Sequence, residues 1–318
     1  MIIKDNIYGN FEIISPAIIE LINSKPVQRL KNIAQYGVPD EFYHLREGRN
    51  RFEHSLGVML LLKYLGAGEK EQIAGLLHDV SHTAFSHVVD HLFSDGIKED
   101  YQDKQHADFI NNSEITSILK KYHYNPPEVT NYKIYKLLEQ DIPNLCADRL
   151  DYSLREFSLP VAKKILKQLT VFNQKIVFKD EKTAFLFADN FLNKQLAHWG
   201  GFEAVSRYKV FASILKRALE QKIIKKSDLY KDDNYVVNIL KGSPDEIIKA
   251  RLQILKNISL THLPKSSKKY HKKFRHVDPQ FIKNGRLIRL SSINKKFKKL
   301  LKKTEENNAL GINIAVVA

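Results

Sequence analysis

The sequence predicts a mainly α protein with a small β-hairpin and a mixed α+β C-terminal region. Three observations carry that. Apolar residues recur at helical spacing over most of the first 225 positions. Alternating apolar runs cluster only near 170–187 and near the end. Helix starts and stops (Ser15-Pro16, Gly37, Ser243-Pro244) fall where the periodicity changes.

Residues 15–37 read as two short helices, the first capped by Ser15 with Pro16 at its first position, the second begun after Lys25-Pro26 and ended by Gly37. A polar loop is expected over 38–50. Helices follow over 51–65 and 69–80, then a loop over 94–104, then helices over 105–122 and 131–157. "KIVFKDEKTAFLF" suggests a hairpin turning at Lys-Asp-Glu-Lys. Helical periodicity returns over 186–224, and one more helix covers 244–257. The end suggests a strand, a basic helix and a final strand. The expected division is a core at 1–225 and a basic α+β region at 226–318.

With 318 residues and 43% apolar residues, the chain can bury a substantial core. No run of 18 or more apolar residues occurs, which argues against a membrane-spanning helix. The start has no basic-then-apolar leader, and the sole cysteine, Cys146, cannot form an internal disulfide or a thiolate zinc cluster. A cytoplasmic protein is expected, with Cys146 a buried small residue. The formal charge is +15, and it is concentrated. Twelve Lys and three Arg lie between Lys265 and Thr304 against one acid, Asp278. Such a block suits a polyanion (a nucleic acid or a regulatory nucleotide) or a solvated face. His262, His271 and His276, within or just ahead of it, are read as solvated surface.

The chemistry concentrates in "LLHDVSHTAFSH", residues 76–87, which places His78, Asp79, His82 and His87 among apolar residues. Adjacent residues on a helix point about 100° apart, so His78 and Asp79 can share one ion only at a helix end or kink. They need partners from other helices. "RNRFEHSLG" supplies His54 on an otherwise apolar helix. "CADRLDYSLRE" supplies Asp148, with Asp151, Tyr152, Arg155 and Glu156 on the same helix face. Such a face is costly to bury unless it binds something.

These residues resemble the H…HD…D signature of the HD-domain phosphohydrolases. "VQRLKNIAQYG", "RNRFEHSLGV", "AGLLHDVSHTAFSH" and "ADRLDYSLRE" resemble the branch that contains the deoxynucleoside triphosphate triphosphohydrolases. The match runs in order from Ile7 to Glu156 and more loosely to about 225. The resemblance implies an HD-domain helical core in which His54, His78, Asp79 and Asp148 bind one divalent metal (Mn, Mg, Fe, Zn or Ni). It assigns His82, His87 and His106 to phosphate contact or proton transfer. Arg51, Arg149, Tyr152 and Gln35 become substrate contacts, and Tyr208 and Lys209 candidates to complete the pocket. Two departures stand out. Ala107 follows His106 where the family often has Glu, and Tyr36 replaces leucine in a Gln-Leu-Gly turn.

The implied reaction is attack of metal-activated hydroxide on the α-phosphorus of a dNTP, giving deoxynucleoside and triphosphate. Alternatives are a nucleoside monophosphate or another phosphoester as substrate, or a nucleic-acid-binding or regulatory protein that retains the metal site. A di-iron oxygenase, using His82 and His106 as extra ligands, is disfavoured by the surrounding residues. A homo-oligomer, dimer or larger, is the expectation from the resemblance.

Overall fold

The computed structural model describes residues 1–45, 48–93 and 100–317. The chain opens with an antiparallel hairpin, β1 (Ile2–Asp5) and β2 (Gly9–Glu12), and then becomes helical. Helices α1 (Pro16–Asn23), α2 (Lys25–Arg29), α3 (Asp40–Tyr43), α4 (Arg51–Tyr64) and α5 (Glu69–Leu77) come first. They are followed by α6 (Asp90–Phe93), α7 (Tyr101–Asn111), α8 (Glu114–Lys121), α9 (Pro126–Thr130), α10 (Ala147–Glu156) and α11 (Leu159–Lys167). After the β3 (Leu169–Phe172) and β4 (Lys175–Phe178) hairpin come α12 (Glu181–Lys194), α13 (Phe202–Glu220), α14 (Asp233–Gly242) and α15 (Glu246–Leu255). Strands β5 (Gln280–Lys283) and β6 (Arg286–Arg289) and helices α16 (Leu290–Ile293) and α17 (Lys295–Ala309) complete the order.

Several starts follow the sequence logic directly. The Ser15 side chain accepts from the Ile18 N–H, and Pro16 opens α1. Asn50 caps α4 by accepting from Glu53. The core divides in two. One cluster gathers α1, α4, α5, α10 and α12 around Leu60, Leu61, Leu76, Leu150 and Phe187. The other gathers α3, α13, α14 and α15 around Phe42, Phe85, Phe211 and Leu240. The residues from 78 to 89 run between the two clusters, which is why a histidine-rich loop is buried.

The structure corrects five expectations. The hairpin is "LTVFNQKIVF", not "KIVFKDEKTAFLF": Asn173 and Gln174 turn with φ of 48° and 58°. Asn tolerates that left-handed region. Lys-Asp-Glu-Lys is instead the start of α12, where the Asp180 carboxylate accepts from the Thr183 N–H. Residues 38–50 are no plain polar loop, since α3 buries Phe42 and Tyr43. The helix expected over 105–122 is interrupted at Ser113, whose hydroxyl caps α8, and residues 135–146 before α10 are not helical. The final strand is reduced to isolated bridges, Lys265 to Ala315 and Tyr270 to Ile312. Helix α14 was not anticipated. Part of the loop expected over 94–104 (94–99) lies outside the described residues, and α7 begins at Tyr101.

The C-terminal hairpin adds to the earlier one. β4 pairs with β5 in parallel, giving a four-stranded sheet in the order β3-β4-β5-β6. Among the described residues no helix is long and apolar enough to cross a membrane.

Candidate metal centre and cleft

His54 projects from the first turn of α4, and Asp148 from the first turn of α10. Helix α5 ends at Leu77, so His78 is its C-cap residue and Asp79 lies just beyond. That helix end lets two adjacent residues face one point. The ligand atoms of His54, His78 and Asp148 lie within 4.8 Å of one another. His54 Nε2 is 2.9 Å from Asp148 Oδ1 and 3.6 Å from Asp79 Oδ2, and His78 Nε2 is 3.5 Å from Asp79 Oδ1.

Neighbouring groups set the orientation of each ring. His78 Nδ1 lies 2.7 Å from the Gly75 carbonyl and so donates to it, which leaves Nε2 as the lone-pair nitrogen; that atom is buried without a hydrogen-bond partner. His54 Nδ1 lies 2.8 Å from Asp151 Oδ2. Asp151 is fully buried and also accepts from Tyr8 Oη at 2.7 Å and Arg155 Nε at 2.9 Å. Gly57 makes room for this pair: a Cβ there would come within 2.1 Å of Asp151 and Arg155. Asp151 thus has a specific duty, holding His54, that its sequence position on the charged face only hinted at.

The electrostatics are those of a cation site. Burial alone would push His54 down, but its bonds to Asp148 and Asp151 outweigh that and raise it to about 9. His78 is also raised against burial, by Asp79 and Asp148. The Asp79 and Asp148 carboxyls are pushed up by burial yet end well below the usual range, because Arg51 and the imidazoles around them win. Two imidazoles and two carboxylates converging on a buried orphan nitrogen fit a divalent metal, and these four residues would hold it.

The cluster lies at one side of a cleft of about 800 Å³. His82, His87, Gln35, Arg51, Arg149 and Tyr152 line the same cleft. His82 is buried with Nε2 3.3 Å from Asp79 Oδ1, and burial beside Arg51 pushes its pKa down to about 3. Its ring packs edge-on to His87 at 5.0 Å. His87 Nδ1 lies 3.1 Å from Asp90 Oδ2, an orienting carboxylate the sequence reading missed, although the i, i+3 spacing of His87 and Asp90 was visible.

The arginines face more protein than the sequence implied. Arg51 donates to Asp79 at 2.5 Å, to Ser86 Oγ at 3.0 Å and to the Gln35 carbonyl at 3.3 Å. Arg149 donates to the Asn144 carbonyl at 2.6 Å and the Gln140 carbonyl at 3.2 Å. The Gln35 side-chain oxygen is buried without a partner. His106 is brought near the cluster but does not line the cleft. It is buried behind Tyr132, with Nδ1 2.9 Å from Ser81 Oγ, and burial pushes it down to about 4. Tyr208 lines the cleft; Lys209 does not, its ammonium lying 4.0 Å from the Tyr270 ring centre. Cys146 is buried, as expected. His262 and His271 are exposed, whereas His276 is half-buried and stacks on Phe274.

The same cleft is also lined by aromatic side chains. Tyr36 stacks on Tyr43 at 5.2 Å, and Tyr208 and Trp199 join them in lining the cleft. Tyr36 donates to Glu156, whose Oε1 also lies 3.3 Å from His198 Nδ1. The tyrosine that departs from the family turn is therefore held by a carboxylate of α10.

A single buried carboxylate joins the two loops that shape this space. Asp233 of α14 accepts from the Ala34 N–H and the Phe85 N–H, both at 2.8 Å. Phe85 and Ser86 hold φ of 64° and 44°, a strained conformation that packing and these bonds maintain.

A helical frame carrying a buried His/Asp cluster beside a cleft of about 800 Å³ is the arrangement of a metal-dependent hydrolase. The HD domain family model matches residues 51–155, from the start of α4 nearly to the end of α10. Over 326 residues the chain is 36% identical to the uncharacterised protein YdhJ of Bacillus subtilis, covering all of this chain and 99% of that one. It is 31% identical over 232 residues to the metal-dependent phosphohydrolase cns2 of Cordyceps militaris, covering 69% of this chain and 67% of that one. The human deoxynucleoside triphosphate triphosphohydrolase SAMHD1 is 38% identical over 109 residues, covering 29% of this chain and 17% of that one. The chain belongs to the HD-domain family of metal-dependent phosphohydrolases.

Proposed function

We propose that this protein is a dNTP triphosphohydrolase, releasing deoxynucleoside and triphosphate. The observation that carries it is that the candidate metal donors and a set of aromatic side chains line one cleft of about 800 Å³. A pocket of this size takes a whole nucleotide, with the base against tyrosines and the phosphates toward the cluster. The similarity to SAMHD1, though confined to 109 residues, supports the deoxynucleotide choice.

His54, His78, Asp79 and Asp148 would hold the metal, which supplies Lewis acidity and charge neutralisation when bound. Arg51 fixes the Asp79 carboxylate and, through Ser86, the loop before His87. Water attacks the α-phosphorus, and the bond from phosphorus to the 5′-oxygen breaks. His87, oriented by Asp90, stands in reach of the cleft to give the leaving oxygen its proton. His82, held neutral by burial, is a hydrogen-bond partner to phosphate rather than a cation. His106 acts from behind the cluster, through Ser81. Gln35 contacts the nucleoside, and Tyr152, beside His54, contacts the sugar and phosphate.

The test is product analysis. Purified protein with Mn²⁺ or Mg²⁺ is incubated with each dNTP, NTP and NMP, and products are separated by ion exchange, with His78→Ala and Asp79→Ala alongside. Deoxynucleoside plus triphosphate, lost in both variants, is the expected result. Orthophosphate release or monophosphate turnover would keep the site and overturn the substrate. No turnover of any nucleotide would overturn the proposal.

A further inference from the structure

The basic run between Lys265 and Thr304 does not form one surface. Part of it lies on α17, which buries Phe297 and Thr304 and turns its lysines outward. Another part reaches the cleft: Tyr270, Lys272, Lys273 and Arg275 line it. The sequence alone offered no sign of this, since the segment has neither helical nor strand periodicity and lies more than a hundred residues beyond α10.

The segment is a pinned strap. The Tyr270 backbone pairs both ways with Ile312, at 2.7 and 2.9 Å. The Asn308 side chain of α17 donates to the Lys272 carbonyl at 3.0 Å, and the Lys272 ammonium donates to the Trp199 carbonyl. Beyond the cleft, the Asp278 N–H donates to the Pro143 carbonyl at 3.0 Å, one residue from the Asn144 carbonyl that holds Arg149.

Its cations lie among the residues that line the cleft. Arg275 acts electrostatically on Tyr152, whose ring centre lies 6.5 Å from that of His54. The Lys272 ammonium lies 5.9 Å from the Tyr208 ring centre. Lys273 is exposed at the rim. Arg51 and Arg149 also line the cleft and donate to protein oxygens, as Lys272 does. One phosphate beside a divalent metal is largely neutralised by the metal itself. A chain of phosphates carries further charge away from the metal and needs cations placed along its length.

The geometry points to the 270–275 strap as a polyphosphate clamp, with Lys273 and Arg275 taking the β- and γ-phosphates of a substrate whose α-phosphate meets the metal cluster. This rests on the phosphohydrolase reading of the cleft and sharpens it: the substrate class is a nucleoside polyphosphate, and the strap selects it over a monophosphate.

Calorimetric titration of the full-length, Mn²⁺-loaded protein with inorganic tripolyphosphate and with orthophosphate tests this. Lys273→Glu combined with Arg275→Ala should weaken tripolyphosphate binding about ten-fold or more and change orthophosphate binding by less than roughly two-fold. Arg275→Lys should retain most of the affinity. Lys298→Glu with Lys299→Glu, on the outer face of α17, should leave it unchanged. Unaltered tripolyphosphate affinity in the strap variant, or an equal loss in the α17 variant, would overturn the clamp. Melting temperatures confirm that each variant is folded, and Lys273→Glu alone, at an exposed site, carries the test if Arg275→Ala does not fold. The readout is independent of turnover. Strap-dependent binding without dNTP hydrolysis leaves the clamp standing and removes the proposed substrate. Hydrolysis of dNTPs with an unchanged KM in the strap variant removes the clamp alone.

Discussion

Asp151→Asn separates what holds the metal cluster from what composes it. The carboxylate accepts from His54 Nδ1, Tyr8 Oη and Arg155 Nε at 2.7–2.9 Å and has no solvent exposure. An amide of the same shape offers one oxygen, and its NH₂ meets a donor, so at least one of the three donors loses its acceptor. Breaking a buried charged pair by removing one partner costs roughly 3–5 kcal/mol. Arg155 keeps Asp5 at 2.9 Å, which places the expected cost near the lower end, about 3 kcal/mol. At about 2–4 °C per kcal/mol for a large domain, Tm should fall on the order of 6–12 °C. His54 also loses the group that fixes its tautomer, and loss of such a carboxylate weakens metal binding about 10–100-fold. Calorimetry gives the first number, and a Mn²⁺ titration against a competing chelator, run well below Tm, gives the second. A variant that binds Mn²⁺ within about two-fold of the parent would refute the claim that Asp151 orients a ligand.

Gly57→Ala should act on the same pair from the other side. Its Cβ would sit 2.1 Å from Asp151 and Arg155, so a loss of about 1–3 kcal/mol is expected by thermal unfolding, with weakened Mn²⁺ binding. Asp90→Asn removes the carboxylate beside His87; kcat should fall about ten-fold with metal content, measured by atomic spectroscopy, unchanged. Asp233 predicts a pH effect. Burial outweighs its two backbone donors and raises it from 3.8 to about 7, so the folded state keeps a proton that the unfolded chain releases. Stability from this group is therefore fullest below about pH 4, falls as pH rises to 7 and is level above, by at most roughly 4 kcal/mol. The parent's Tm difference between pH 5 and pH 7.5 should shift accordingly relative to Asp233→Asn, and an identical pH slope in the two would refute this.

The candidate metal donors were legible in the sequence because each sits in a distinctive local setting. His54 interrupts an apolar helix, and His78-Asp79 is an unusual pair to bury. Asp148 opens a charged helix face. Caps were legible for the same local reason, as Ser15-Pro16 shows. The hairpin was misplaced because "KIVF" and "AFLF" are equally apolar runs. Only the Asp180 cap and the Asn173-Gln174 turn, whose short-range bonds compete with the alternative, decide between them.

What the sequence determined by itself is the helical class, from residue type and short spacing, and, through the resemblance its motifs carry, the four candidate ligands that the fold brings together. Which groups serve those ligands was a tertiary matter. Asp151 acquires its role through Tyr8, nearly half the chain away, and Asp233 joins Ala34 to Phe85 across more than a hundred residues. The strap at 270–275 reaches the cleft only because Ile312, Asn308 and the Trp199 carbonyl hold it there. Hydrogen bonds and burial between segments distant in sequence leave no period or spacing, so only the folded chain displays them.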